Sequence, residues 1–302
     1  MDNVISTVRT STLPEKATKK RDWIATGFHL LFLACAMVGV LSVGTIGWFV
    51  FHEGLPAFQQ AGVAQIIFGQ EWLPPALFGI GPMIVASLIS TFGAVIIGVP
   101  IAILTAVFLA ELAPNWMANI VRPAVELLAG IPSVVYGFFG LVIIVPMIET
   151  IFNIPAGNTI LAGIIVLAIM ILPTVITISE TSLRALPGTY KEAALALGAS
   201  QIYTVFKVLI PAARSGIYTG ISLGIARAIG ETMAIIMVMG NAPAMPGSLL
   251  EPARSLTANI AMEMSYATGI HSSALYSTGI VLLVFIVLLN SCLLYMNRKR
   301  TY

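Results

Sequence analysis

The chain has 302 residues, of which 58% are hydrophobic and 9% charged, with a formal net charge of +2. Soluble domains carry about 25% charged residues, so this composition excludes an ordinary water-soluble fold and points to a bilayer. The basic residues are scattered beside apolar runs, which excludes a nucleic-acid footprint and makes them orientation signals.

Crossing about 30 Å of hydrocarbon takes roughly 20 apolar residues. Six runs meet that length, over residues 24–50, 80–110, 127–148, 158–178, 216–240 and 274–296. The first exceeds the roughly 7 to 15 residues of a cleaved signal core, so it reads as a retained anchor behind a cytoplasmic tail over 1–23. Residues 51–79 are expected to form an extracytoplasmic loop, and 80–296 a five-helix core. In the second run Pro100 predicts a bent helix, or a crossing that runs into a short extra helix. Arg122 and Glu126 form an i, i+4 pair at the start of the third run and read as an interfacial anchor. Pro132 and Pro173 should bend the third and fourth helices and free carbonyls that only buried or cavity-lining positions tolerate. Ser133 and Tyr136, just after Pro132, are therefore candidates for lining a path.

Thirteen of the fifteen Lys and Arg fall in the N-terminal tail, the connections holding Arg122 and Arg184 to Arg214, and the C-terminus from Arg298. Six crossings place all four segments on one face, the cytoplasmic one, with both termini. The opposite connections hold only Arg254. Cys35 and Cys292 lie inside spans and read as small apolar side chains. His29, His52 and His271 are isolated, without metal-ligand spacing, and read as packing or interface residues.

Between the fourth and fifth runs, Thr189 and Glu192 have the spacing of a capping box, predicting a helix that begins at Tyr190 and ends at Gly198. Ser200 is placed to cap a second helix that Pro211 bends or terminates. The connection reads as an interfacial turn, as a helix that docks in a groove of another protein, or as a helix-turn-helix. Its place between spans and its single Lys in the second helix count against the last.

The fifth run, "GIARAIGETMAIIMVMG", holds Arg227 and Glu231 near mid-bilayer. A charge there costs about 2.5 to 3.5 kcal/mol on insertion scales. Spaced i, i+4, the two form either a self-satisfied intrahelical pair or part of a polar translocation path, with Glu231 holding the guanidinium. Gly216, Gly220, Gly224 and Ala228 recur on an adjacent stripe suited to close helix packing.

The stretch "EAALALGASQIYTVFKVLIP" resembles the EAA signature of ABC importer permeases, filled here by Glu192, Ala193, Ala194, Gly198, Val208, Ile210 and Pro211. More narrowly, "ELLAGIPSVVYGFFGL", "LPTVITISETSLRALP" and "ARAIGETMAIIMVMGNAP" resemble phosphate-import permeases of the PstC type, from roughly residue 75 onward. The resemblance implies an all-α membrane fold of the type I ABC importer class, with residues 189–198 as a coupling helix whose Glu192, Ala193, Ala194 and Gly198 dock on an ATPase. It also implies a PstA-like second permease, two PstB-like ATP-binding subunits, a PstS-like binding protein and phosphate as cargo. No G-x-x-x-x-G-K-[ST] occurs, so ATP hydrolysis is expected from a separate subunit, and no cofactor or nucleic acid is implied. Alternatives are a sulfate or molybdate permease, a PstA-type partner, a membrane sensor, or a stand-alone secondary transporter.

Overall fold

A computed structural model describes residues 15–298. Arg9 of the expected N-terminal tail, Lys299 and Arg300, and the Cys292 side chain lie outside the described residues and side chains, so the orientation signal there rests on sequence. Two compact units divide the chain, one ending at His52 and the other beginning at Glu53.

The first unit is the leading part of α1 (Glu15–Ala61). Its side chains, Phe28, Phe32, Leu41 and Val43 among them, are exposed, as is Cys35. Such a surface suits hydrocarbon. The Ser42 and Thr45 hydroxyls donate to the carbonyls of Val38 and Leu41, both at 2.8 Å, so neither needs water.

α1 runs past the expected end of the first span at residue 50 and through Pro56. Packing outweighs the lost N–H: Ala57 is fully buried, and a Cβ on Gly54 would sit 2.7 Å from the Ile280 side chain of α14 (Ile270–Arg298). The segment expected to be an outer loop is structured, with α2 (Val63–Phe68) and a hairpin of β1 (Trp72–Leu73) antiparallel to β2 (Leu77–Phe78).

The second unit centres on α7 (Ile160–Arg184), against which α3 (Gly81–Val107), α4 (Asn115–Gly130) and α11 (Arg214–Gly230) pack. Hydrocarbon supplies no hydrophobic drive between helices, so close approach must bring the dispersion contacts. Glycines provide it: Cβ atoms on Gly93 and Gly98 of α3 would lie 2.6 and 2.8 Å from Ile164 and Ile171. On α11, Gly220 faces Ile178 and Gly224 faces Val175, so the glycine stripe packs as expected. α3 passes Pro100 and continues into a π-helical turn over Phe108–Leu112, giving one apolar helix over Gly81–Leu112.

The third run differs from expectation. α4 stops at Gly130, Ile131 and Pro132 are extended, and the chain resumes as α5 (Ser133–Phe139), a π turn over Gly140–Ile144 and α6 (Val145–Phe152). Pro132 disfavours helical geometry at the residue before it, and the apolar crossing is therefore Ser133–Phe152 rather than 127–148.

After α7 come α8 (Thr189–Ala196), α9 (Gln201–Thr204), a π turn over Val205–Leu209 and α10 (Ile210–Ala212). The chain then bends by 71° into α11. α12 (Met233–Val238) and α13 (Leu256–Glu263) complete the order before α14. Among the described residues, five helices are long and apolar enough to cross a membrane, or six if the bent pair is one span.

Candidate functional site

Arg227 owes its position to the glycine stripe. Pairing Gly220 with Ile178 and Gly224 with Val175 sets an antiparallel register that brings Arg227, one turn on, to Thr174 just after Pro173. The guanidinium donates to Thr174 Oγ1 at 3.3 Å, its single hydrogen bond among the described residues, and it has no carboxylate partner among them. Thr174 lies 14 residues from the start of the 25-residue α7, so Arg227 sits near the middle of the packed helices.

The intrahelical pair of Arg227 and Glu231 is not formed. α11 ends at Gly230, and Glu231 is extended, with φ −68 and ψ 131. Three bonds hold it there: its N–H to Ala228 O at 3.4 Å, Thr257 Oγ1 to its carbonyl at 2.8 Å, and Ala234 N–H to its Oε1 at 3.1 Å. The carboxylate thus caps α12 instead of holding Arg227. A helical partner four residues away is replaced by an elbow whose exposed backbone groups are satisfied from outside the helix.

A second elbow lies alongside, between α4 and α5. Tyr136 is buried, and its hydroxyl donates to Leu128 O at 2.7 Å, pinning the break at Ile131 and Pro132. Gly137 lets α5 press on α12, since a Cβ there would lie 2.8 Å from Ala234 Cα. Ser133 is half-buried at the first position of α5. Broken helices inside a membrane bundle mark places where backbone lines a cavity or faces protein.

The four residues of the expected docking helix occupy one exposed stretch. Glu192, Ala193 and Gly198 are exposed, Ala194 is half-buried, and Leu197 projects with 91% of its surface free. The Thr189 and Glu192 capping box does not form: Gly188 precedes the helix, without a side-chain cap. Gly198 does terminate it, with φ +84 and the bonds Ala199 N–H to Ala194 O at 3.1 Å and Gly198 N–H to Leu195 O at 2.9 Å. Ser200 caps α9 as expected, its Oγ accepting from Tyr203 N–H at 3.2 Å. Lys191 Nζ meets Glu111 Oε2 at 2.6 Å, tying α8 to the π turn that ends α3.

Arg122 does not pair with Glu126. It donates instead to Glu180 Oε1 and, at 3.0 Å, to Leu109 O, with Arg184 3.7 Å from the same carboxylate. Glu180 is buried on α7, so it is the stronger partner, and Glu126 is left exposed, lining one pocket with Arg122, Glu180 and Arg184.

At the opposite end of α7 lies a cluster that sequence reasoning missed. Glu263 accepts from Trp72 Nε1 at 2.9 Å, from His271 Nε2 at 2.8 Å and from Arg254 at 2.5 Å. Arg254 also donates to Asn241 O at 2.9 Å and Asn259 Oδ1 at 3.0 Å. Burial pushes the Glu263 carboxyl up, but the hydrogen bonds from Trp72, His271 and Arg254, with the Arg254 charge, hold it below its ordinary value. The only signal was Arg254 itself, the single basic residue on the wrong side.

Membrane-length helices broken at two elbows, a guanidinium with no carboxylate partner among the described residues, and an exposed helix tied to the end of α3 fit one class, the permease subunit of an ABC importer, and the relatives of the chain establish it. The chain belongs to the family of binding-protein-dependent transport system inner membrane components, whose model matches residues 98–302. It is 38% identical to the probable ABC transporter permease YqgH of Bacillus subtilis, with 90% of each chain covered. It is 37% identical to the phosphate transport system permease PstC of Pasteurella multocida, covering 78% of this chain and 80% of that one. For the PstC of Xylella fastidiosa strain 9a5c the values are 34%, 96% and 99%. Two solved structures share the fold: a bacterial alginate ABC transporter, with TM-score 0.63 and 16% identity over 96% of this chain and 99% of that one, and the inward-facing MetNI methionine ABC transporter, with 0.56 and 20% over 74% and 95%. Membership makes this multi-pass membrane protein a transport component that works with an ATPase and a substrate-binding protein.

Proposed function

We propose that the chain is one of two permease subunits of an ATP-driven phosphate importer in a bacterial or archaeal plasma membrane, with both termini in the cytoplasm. A PstA-like permease completes the path, two PstB-like subunits supply ATP hydrolysis, and a PstS-like protein delivers phosphate at the outer face. The carrying observation is Arg227, a membrane-interior guanidinium with one hydrogen bond and no carboxylate partner among the described residues. A planar fork of donors gives bidentate bonds to an oxyanion, which a lysine's point charge does not. The phosphate permeases among the relatives point to phosphate over sulfate or molybdate.

Thr174 steadies one edge of the guanidinium and leaves its other donors for the anion. Tyr136 fixes the neighbouring elbow, with its hydroxyl committed to Leu128, and Ser133 stands at the mouth of that break. The Glu231 charge, engaged with the start of α12, keeps a like charge near the path so that the anion also leaves. On the inner side, Glu192, Ala193, Ala194 and Gly198 form the surface that meets the ATPase. The bond from Lys191 to Glu111 passes its movement to α3, and the two permeases alternate between inward- and outward-open states.

The test is ATP-driven phosphate uptake into vesicles by the complete complex, with sulfate and molybdate as competitors. Uptake that needs the binding protein and resists tenfold excesses of both competitors is expected. Equal competition by either anion overturns the cargo, and uptake by this chain alone under an ion gradient overturns the class.

A further inference from the structure

The fold leaves one short helix without a role in the path or the docking surface. α13 is eight residues long, about 12 Å at 1.5 Å per residue, and runs from the outer cluster to the elbow of the fifth span. At its far end Glu263 is fastened to Trp72, His271 and Arg254. At its near end Ser255, Leu256 and Thr257 meet both α3 and the elbow of the fifth span. Leu256 N–H donates to Ser87 Oγ at 3.0 Å, and Thr257 Oγ1 donates to the Glu231 carbonyl at 2.8 Å.

We propose that α13 is a strut between the outer face and the Arg227 elbow, and that Thr257 is a positioning residue whose hydroxyl sets the elbow through the Glu231 carbonyl. Of the three bonds that fix Glu231, two come from its own span, from Ala228 and Ala234. Thr257 supplies the third from a separate element. Its single hydroxyl hydrogen goes to a carbonyl that has nothing to donate, so the 3.0 Å contact with Ser255 Oγ runs from Ser255 to Thr257. Ser255 Oγ in turn accepts from Ala258 N–H at 3.1 Å, making one relay from the α13 backbone to the elbow. Thr257 is buried, and no loop flexibility intervenes between Glu263 and Thr257. A displacement at the outer cluster therefore reaches Glu231, and with it Arg227 one helical turn earlier. The inference rests on the reading of that elbow as part of the path.

The experiment uses the complete importer in nanodiscs, with phosphate-loaded binding protein as the probe, and measures ATP hydrolysis with and without it. Thr257→Val keeps the shape and leaves the Glu231 carbonyl unpaired, a loss worth about tenfold in an equilibrium. The maximal stimulation by binding protein is expected to fall by about that factor, while basal hydrolysis and the half-saturating binding-protein concentration stay within twofold. Thr257→Ser, which keeps the hydroxyl, should restore stimulation. Ser87→Ala, which releases the other anchor of α13, should lower it by about threefold and decides the matter should Thr257→Val not assemble. Full stimulation in Thr257→Val, or in Ser87→Ala if that variant stands alone, overturns the proposal. A wild-type uptake rate in Arg227→Ala would instead sink the path reading, leaving the stimulation ratio as a separate result.

Discussion

Glu263→Gln is the most informative perturbation of the outer cluster. The Glu263 and Arg254 side chains are 9% and 12% exposed, so the pair is largely shielded from screening. Gln keeps the volume but removes the charge, and it has one acceptor oxygen where Glu263 has two. Arg254 needs an acceptor on one side, while Trp72 and His271 both point at the other oxygen. If the amide oxygen serves Arg254, the NH2 faces the Trp72 N–H, a donor against a donor. Losing the charged component of one buried hydrogen bond costs about 1.5 kcal/mol, and an unpaired Trp N–H about another 1 to 3. Breaking one side of a buried pair costs about 3 to 5 kcal/mol, and the two routes meet near 3. The assay is amide hydrogen exchange over residues 72–78 and 256–263 in the assembled complex. At 1.4 kcal/mol per tenfold, protection is expected to fall by about two orders of magnitude there and to hold in α7. A change under threefold in this variant refutes the reasoning.

The same cluster has a pH dependence of known sign. The folded-state Glu263 carboxyl is lowered, so its stabilisation is whole above the unfolded value of about 4.3 and is lost as pH falls through the lower folded value. The difference in melting temperature between wild type and Glu263→Gln should be constant above that point and shrink below it. Gly224→Val should cost about 1 to 3 kcal/mol by overpacking, since even a Cβ lies 2.8 Å from Val175. Gly39→Ala, with nothing within 4 Å, should leave the amount of assembled complex unchanged while Gly224→Val lowers it. Gly198→Val should weaken ATPase binding roughly tenfold in a pull-down titration, through about 1 to 2 kcal/mol of left-handed strain at φ +84. Gly198→Asn should lose much less.

Much of this architecture was legible in the amino-acid order, because its determinants are local. Apolar length gives the spans, Gly198 the end of the exposed helix, Ser200 the next cap, and the four-residue glycine repeat the face that meets α7. What escaped depends on residues far apart in the chain. Arg122 and Glu180 are 58 positions apart, so only the wrong i, i+4 partner was visible. Trp72 and Glu263 are 191 apart. The break at Glu231 contains no proline, and the Glu231 carbonyl that a continuous helix would have used accepts from Thr257, 26 residues later. The first helix runs past residue 50, the expected end of its span, because Ala57 packs in the core.

The central claim is that the Arg227 guanidinium, held by Thr174 beside two elbows, handles the anion. Phosphate uptake and ATP hydrolysis should be measured together on complete complexes carrying wild-type Arg227, Arg227→Lys or Arg227→Ala. With assembly and basal hydrolysis retained, uptake should fall by at least tenfold in the Ala variant, the scale of one charge-assisted hydrogen bond, and Lys should recover only part of it. Uptake by Arg227→Ala at the wild-type rate would contradict the account.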